Sequence, residues 1–289
     1  MQNLENLAAL IAALPENFRA NAQDLVDRMG ATVEGIGDEP IAWKPPFLKI
    51  MQATTDRASA PRGTSIGDLL LGEEKVDSPL MIIPLRLWQG RQYWDPNPEN
   101  KKMLCQSPDA KVGYIGRECK GCPHAEWVEG QGSDCNKIYT LMAITSDLKH
   151  IFTVNFAKTS YKVGQELEGM LRKAGVAIYA RQYQLSTKTI KNYETFEVAP
   201  TDAANRKTPE GLISFVKELF GQIDSGRKEA VQAFYKVLED RRAQGLLQAP
   251  QAAPALTDSG GADSTLGAEP EVAAPAPAGK TSKAKSYEV

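Results

Sequence analysis

Leucines recur at helical spacing through residues 2–14, and Pro15 ends the pattern. Residues 16–29 carry a second apolar stripe, with Gly30 as its stop. Together they predict a helical hairpin. It either docks on its own domain, the simpler expectation for amphipathic helices, or serves as an arm for a partner. From Trp43 to Pro200 the pattern changes to short strands. Phe47–Gln52 is the first, and Pro79–Trp94 is a strand or hairpin rich in branched and aromatic residues. Lys137–Thr145 and His150–Phe156 follow, and then Tyr161–Ala174 sets Val163, Leu167, Met170 and Leu171 on one helical face. Val176–Leu185 and Tyr193–Val198 read as a hairpin across the polar link Ser186–Asn192.

Beyond Pro200 the helical period returns. Thr208-Pro209-Glu210 is a helix start, followed by Leu212, Ile213, Val216, Leu219, Phe220 and Ile223. Ser225 opens a second helix through Val231, Phe234, Tyr235 and Leu238, which Gly245 closes. Residues 246–289 are rich in Ala, Pro, Gly and Ser, and bury too little surface to offset ordering entropy, so they read as a disordered tail.

The expected architecture is mainly β with flanking helices, an α+β class. At its centre stands an OB-like five-stranded barrel over residues 41–200, since strands meandering around one helix before a final hairpin fit that count. Residues 1–40 form an N-terminal helical extension and residues 205–245 the C-terminal helices. The segment 105–135 is an insertion between the first two barrel strands.

That insertion holds every cysteine of the chain: Cys105, Cys119, Cys122 and Cys135. A thiolate pair two residues apart can grip one metal from a tight turn, and two distant thiolates close a tetrahedron. The residues between them are turn-formers and charges that need a staple, so a structural zinc ion is the expected ligand. Disulfides are an alternative, but the first residues show no secretory signal pattern, and a reducing cytosol keeps thiols free. A redox pair is another, although Cys119-Lys-Gly-Cys122 lies among glycines with no helical pattern after it. His124 could replace one ligand.

Composition narrows the function. The chain has 289 residues, with 34 basic against 36 acidic side chains, an ordinary balance for a globular domain. No apolar run is long enough to span a bilayer, so no membrane role is expected. Its two histidines, His124 and His150, leave little material for a catalytic triad. Acids are scattered in the strand region, and a four-cysteine site has no open position for water, which argues against a metal-dependent nuclease and for a non-enzyme.

Single-stranded nucleic acid is held by rings that stack bases and by basic side chains that follow phosphates. Residues 147–199 hold eight basic against five acidic side chains, with Phe152, Phe156, Tyr161, Tyr179, Tyr183 and Tyr193 among them. The candidate contacts are Lys158, Tyr161, Lys162, Tyr179, Arg181, Tyr183, Lys188 and Lys191, with Tyr179, Arg181 and Tyr183 sharing one strand face. Arg86, Trp88, Arg91 and Trp94 repeat the mixture near the first long strand. Taken singly, each such aromatic is more often core and each such lysine solvated.

The strand-rich domain, the cysteine segment around Cys119-Lys-Gly-Cys122 and the C-terminal tail resemble the bacteriophage single-stranded-DNA-binding proteins of the T-even helix-destabilising type. The resemblance covers residues 43–200. It implies an OB fold with an inserted zinc segment, non-catalytic binding of single-stranded DNA, and work in DNA replication, recombination or repair within the cytoplasm of a phage-infected or prophage-bearing bacterium. Replication or recombination proteins would then be met through the tail or the helical ends. That family holds zinc with one histidine and three cysteines where this chain offers four cysteines. It also has a basic N-terminal arm, which is missing here. Its tails are strongly acidic, whereas this one carries five acids against three lysines. A second expectation, of another class, is a zinc-ribbon interaction factor accessory to a replication or transcription polymerase.

Overall fold

A computed structural model describes residues 4–30, 45–53, 61–97, 100, 102–126, 133–201 and 207–247. The expected disordered tail falls almost wholly outside them. In chain order the elements are α1 (Leu4–Ala12), α2 (Glu16–Gly30), β1 (Leu48–Ile50), β2 (Leu69–Leu71), β3 (Glu74–Val76), β4 (Leu80–Trp94), β5 (Met103–Ser107), β6 (Cys135–Thr145), β7 (Ile151–Ala157), α3 (Tyr161–Ala174), β8 (Tyr183–Ile190), β9 (Tyr193–Pro200) and α4 (Glu210–Ala243). The chain is mainly β with flanking helices, an α+β class.

The large sheet is antiparallel throughout and runs β7-β6-β4-β8-β9, with β5 also on β4. Its organiser is β4. The start of that strand, Leu80–Ile82, pairs with β8, residues Ile82–Tyr93 face β6, and its end, Arg91–Trp94, pairs with β5. A bulge at Leu85 breaks the register with β6: Pro84 lies opposite Ala143, and Arg86 opposite Met142. Proline has no N–H for the ladder, so it settles where the ladder is already interrupted. The extra residue shifts the alternation of every side chain that follows.

Each sheet face buries its own core. Against one face pack α1, α2 and the first half of α4, through Leu7, Leu14, Leu25, Phe215 and Leu219 onto Ile83, Leu85 and Ile144. The N-terminal hairpin is thus docked on its own domain. Against the other face pack α3 and the small β1-β2-β3 sheet, through Leu167, Leu48 and Leu69 onto Ile82, Leu141, Phe152 and Phe196.

No closed barrel forms among the described residues, where an OB-like five-stranded barrel was expected. β7 and β9 are the two edges of the large sheet, and the β1 segment lies between them. Phe47 bridges Thr153 in parallel, and the Thr153 N–H donates to the Pro46 carbonyl. On the other side, the Gln52 amide donates to the Glu194 carbonyl while the Glu194 N–H donates back to its Oε1, at 2.8 and 3.0 Å. Edge groups that a closed barrel would pair with each other are satisfied here by an inserted strand.

Other expectations also change. The two C-terminal helices are one, because Ser225 and Gly226 continue the turn; an interior glycine costs a helix only about 1 kcal/mol. Residues 186–190 are strand, and the hairpin turns on Lys191-Asn192 alone, with Lys191 at φ +57°. Residues 178–180 form a 3-10 turn instead of strand. β2, β3 and β5 lie in stretches that read as turns.

Candidate metal centre and nucleic-acid interface

The cysteine site is assembled by register. Cys105 on β5 and Cys135 on β6 are both paired with Tyr93 of β4. Opposed residues in a sheet project to one side, so the central strand holds both thiols on a common face. The other two come from the connecting segment, which folds back by short-range bonds. The Gly113 N–H donates to the Arg117 carbonyl, the Tyr114 N–H to Gln106, and the Cys119 N–H to Lys111, at 2.7–2.8 Å. A 3-10 turn, Pro123–Ala125, follows Cys122.

All four cysteines line one cavity of about 20 Å³, together with Arg91, Tyr93 and His124. Each is a free thiol; Cys119 and Cys135 are buried, and Cys105 and Cys122 partly so. Burial pushes the Cys119 and Cys135 thiols up, while a Ser107 hydrogen bond to Cys119 and the Arg91 guanidinium beside both oppose it. Gly113 leaves room for Cys105: a β-carbon there would stand 2.5 Å from the Cys105 sulfur. Four soft sulfur donors lining one small cavity match the chemistry of a structural zinc ion. As the side chains stand, no three of Cys, His, Asp or Glu among the described residues have the spacing to share one ion. His124 stacks on Tyr93, with ring centroids 4.3 Å apart and planes at 18°, and its Nδ1 lies 3.5 Å from Asp134.

The twelve candidate nucleic-acid residues are not gathered into one surface. After the Leu85 bulge, Arg86 and Trp88 point to the helical side and Arg91 to the cysteine side. Arg86 is ion-paired with Asp224 of α4, and the Arg227 guanidinium lies 4.8 Å from the Trp88 ring. Both are covered by the chain's own helix. Tyr179, Arg181 and Tyr183 do not share a strand face, because Tyr179 sits in the 3-10 turn against Phe220. Tyr183 is only 4% exposed and belongs to the core, so its ring has no face for a base. Tyr161 lies against Tyr139, with centroids 5.1 Å apart. Exposed are Trp94, Lys158, Lys162, Lys188 and Lys191. Lys162 and Lys188 lean towards Glu166 and Glu197, at 3.9 and 3.2 Å.

The sequence reading missed how the second half of α4 grips the cysteine segment. Arg227 donates to the Pro108 carbonyl at 2.9 Å, Tyr235 to Asp109 at 2.8 Å and Arg242 to the Gly116 carbonyl at 3.1 Å. Phe234 meets Tyr114, and the Arg241 guanidinium lies 4.4 Å from the same ring. Periodicity identifies that helix and includes Phe234 and Tyr235, but Arg227, Arg241 and Arg242 lie outside the hydrophobic pattern.

Comparison of this chain with protein-family models, curated proteins and solved structures finds no match to any of them. No helix among the described residues is long and apolar enough to cross a membrane.

Proposed function

We propose that this protein binds single-stranded DNA with little regard to sequence, without catalysis, in phage-type replication, recombination or repair. A structural zinc ion held by Cys105, Cys119, Cys122 and Cys135 belongs to the same reading, as does the cytoplasm of a bacterial host. One observation carries it, the path of the chain through the large sheet. Counting β4, β6, β7, β8 and β9 as first to fifth, the spatial order is 3-2-1-4-5, with α3 between third and fourth. An OB barrel left open between its third and fifth strands would follow the same path, which supports this reading.

OB folds meet oligonucleotides with the face of strands two and three and with the loops joining strands one to two and four to five. The first of these loops corresponds to the cysteine segment, and the second to the turn that carries Lys191 beside Lys188. Both lysines are exposed. Affinity for oligo-dT measured across salt concentrations tests the proposal. Binding through these cations gives a steep log-log slope from counterion release, and no binding at low salt overturns it. Duplex DNA and RNA in parallel assays report the preference.

The covering of Arg86 and Trp88 by α4 favours a second reading, an interaction factor accessory to a polymerase, with the sheet as scaffold. A chain that ignores oligo-dT yet retains a purified polymerase supports that reading.

A further inference from the structure

We infer that Arg91 is the counter-charge of the cysteine cluster and not a phosphate contact, an inference that rests on the metal reading above. Its position on β4 comes first. Arg91 is paired with Ser107 of β5 and Lys137 of β6, two residues before Tyr93, which stands opposite Cys105 and Cys135. The period of a strand puts Arg91 on the same face as those cysteines.

Its surroundings come second. The guanidinium lines the cavity with all four sulfurs, and its Nη1 is buried with no hydrogen-bond partner. Among the described residues no carboxylate forms an ion pair with it, although Arg86, five residues earlier on the strand, has Asp224. A buried N–H donor without an acceptor is costly. Four thiolates around a divalent ion are the reverse case, since they carry a net negative charge with no donor of their own. Each supplies what the other lacks. The planar fork can donate to sulfur while its fixed charge offsets the thiolates, the work of residues that surround metal ligands. One of the twelve candidate nucleic-acid contacts is thereby withdrawn from the DNA surface.

The test compares the full wild-type chain with R91Q and R91K, each loaded with zinc. Zinc affinity by chelator competition is expected to fall about 10-fold or more in R91Q and less in R91K, which keeps the charge. Oligo-dT affinity at saturating zinc should match wild type in both variants. Melting with and without zinc separates this role from simple packing. A packing arginine lowers both forms equally, whereas a counter-charge lowers only the rise that zinc confers. Wild-type zinc affinity in R91Q overturns the inference, as does lost DNA binding with zinc retained. Should R91Q fail to fold, R91K carries the same readouts, and its overturning result is wild-type zinc affinity with weakened DNA binding. If wild type binds oligo-dT but takes up no zinc, the metal reading falls and this inference falls with it.

Discussion

Gly164 of α3 lies directly on Tyr139 of β6: a β-carbon on the glycine would stand 2.6 Å from the tyrosine's own. Helix and strand approach so closely only because one of them presents no side chain. Gly164→Ala should therefore lower stability by about 1–3 kcal/mol through overpacking, despite alanine's better helix propensity. Gly169→Ala, on the same helix with nothing within 4 Å, should raise it by about 1 kcal/mol. Urea midpoints of the two variants settle the comparison, and equal shifts would count against the close approach.

Tyr139 also anchors α3 by its hydroxyl, which donates to Glu168 at 2.6 Å, and Arg172 holds the same carboxylate at 2.7 Å. These bonds, Tyr139 first, keep Glu168 below the usual glutamate range despite some burial. A carboxylate with a depressed folded pKa stabilises above its unfolded value, about 4.3, and that contribution is lost as pH falls through the folded one. The melting-temperature gap between wild type and Glu168→Gln should be widest near neutrality and close in acid. A gap that does not change with pH would contradict the assignment.

Tyr183→Ala should cost about 3–5 kcal/mol, as for other large rings removed from a core. The folded protein should keep its oligo-dT affinity. An unchanged midpoint with weakened DNA binding would return Tyr183 to the stacking role that its sequence suggested.

For the proposed metal centre, Cys119→Ser should lose zinc and loosen the segment. Gly113→Ala is the sharper variant, because it leaves all four sulfurs in place but drives a methyl group into Cys105. It is expected to weaken zinc retention, measured by metal analysis after dialysis, with the sheet's circular dichroism preserved. Full zinc in both variants would remove these residues from the site.

Along α4, amide exchange should be uneven. The first half buries Leu212, Phe215, Val216 and Leu219, whereas the second buries only Leu238. Amides of residues 225–243 should exchange faster than those of 215–221, since local opening there exposes little apolar surface. Tyr235→Phe, which removes the bond to Asp109, should widen the difference at a cost of about 1 kcal/mol. Uniform protection along the helix would show a firmer grip on the cysteine segment than these contacts provide.

Much of this was written in local pattern. Leu7, Leu10 and Ile11 mark α1, Val163, Leu167 and Leu171 mark α3, and the branched and aromatic run to Trp94 marks β4, because helical and strand periods are properties of neighbours along a chain. The four cysteines likewise announced a common site through spacing alone. β2, β3 and β5 escaped notice because three to five residues among glycines and charges carry no period. The single helix α4 reads as two in the sequence because Ser225 looks like a fresh helix start when the contacts beyond it are unknown.

Sequence by itself determined the class, the run of strands around one helix and the cysteine cluster, all of which follow from short-range chemistry. Tertiary structure decided which residues meet. One extra residue at Leu85 sends Arg86 and Trp88 under α4 and Arg91 to the cysteines, and the β1 segment lies between the edge strands β7 and β9. Tyr183 became core because β8 begins at that residue. Side-chain direction depends on register, and register depends on partners far away in the chain, so no local window contains it.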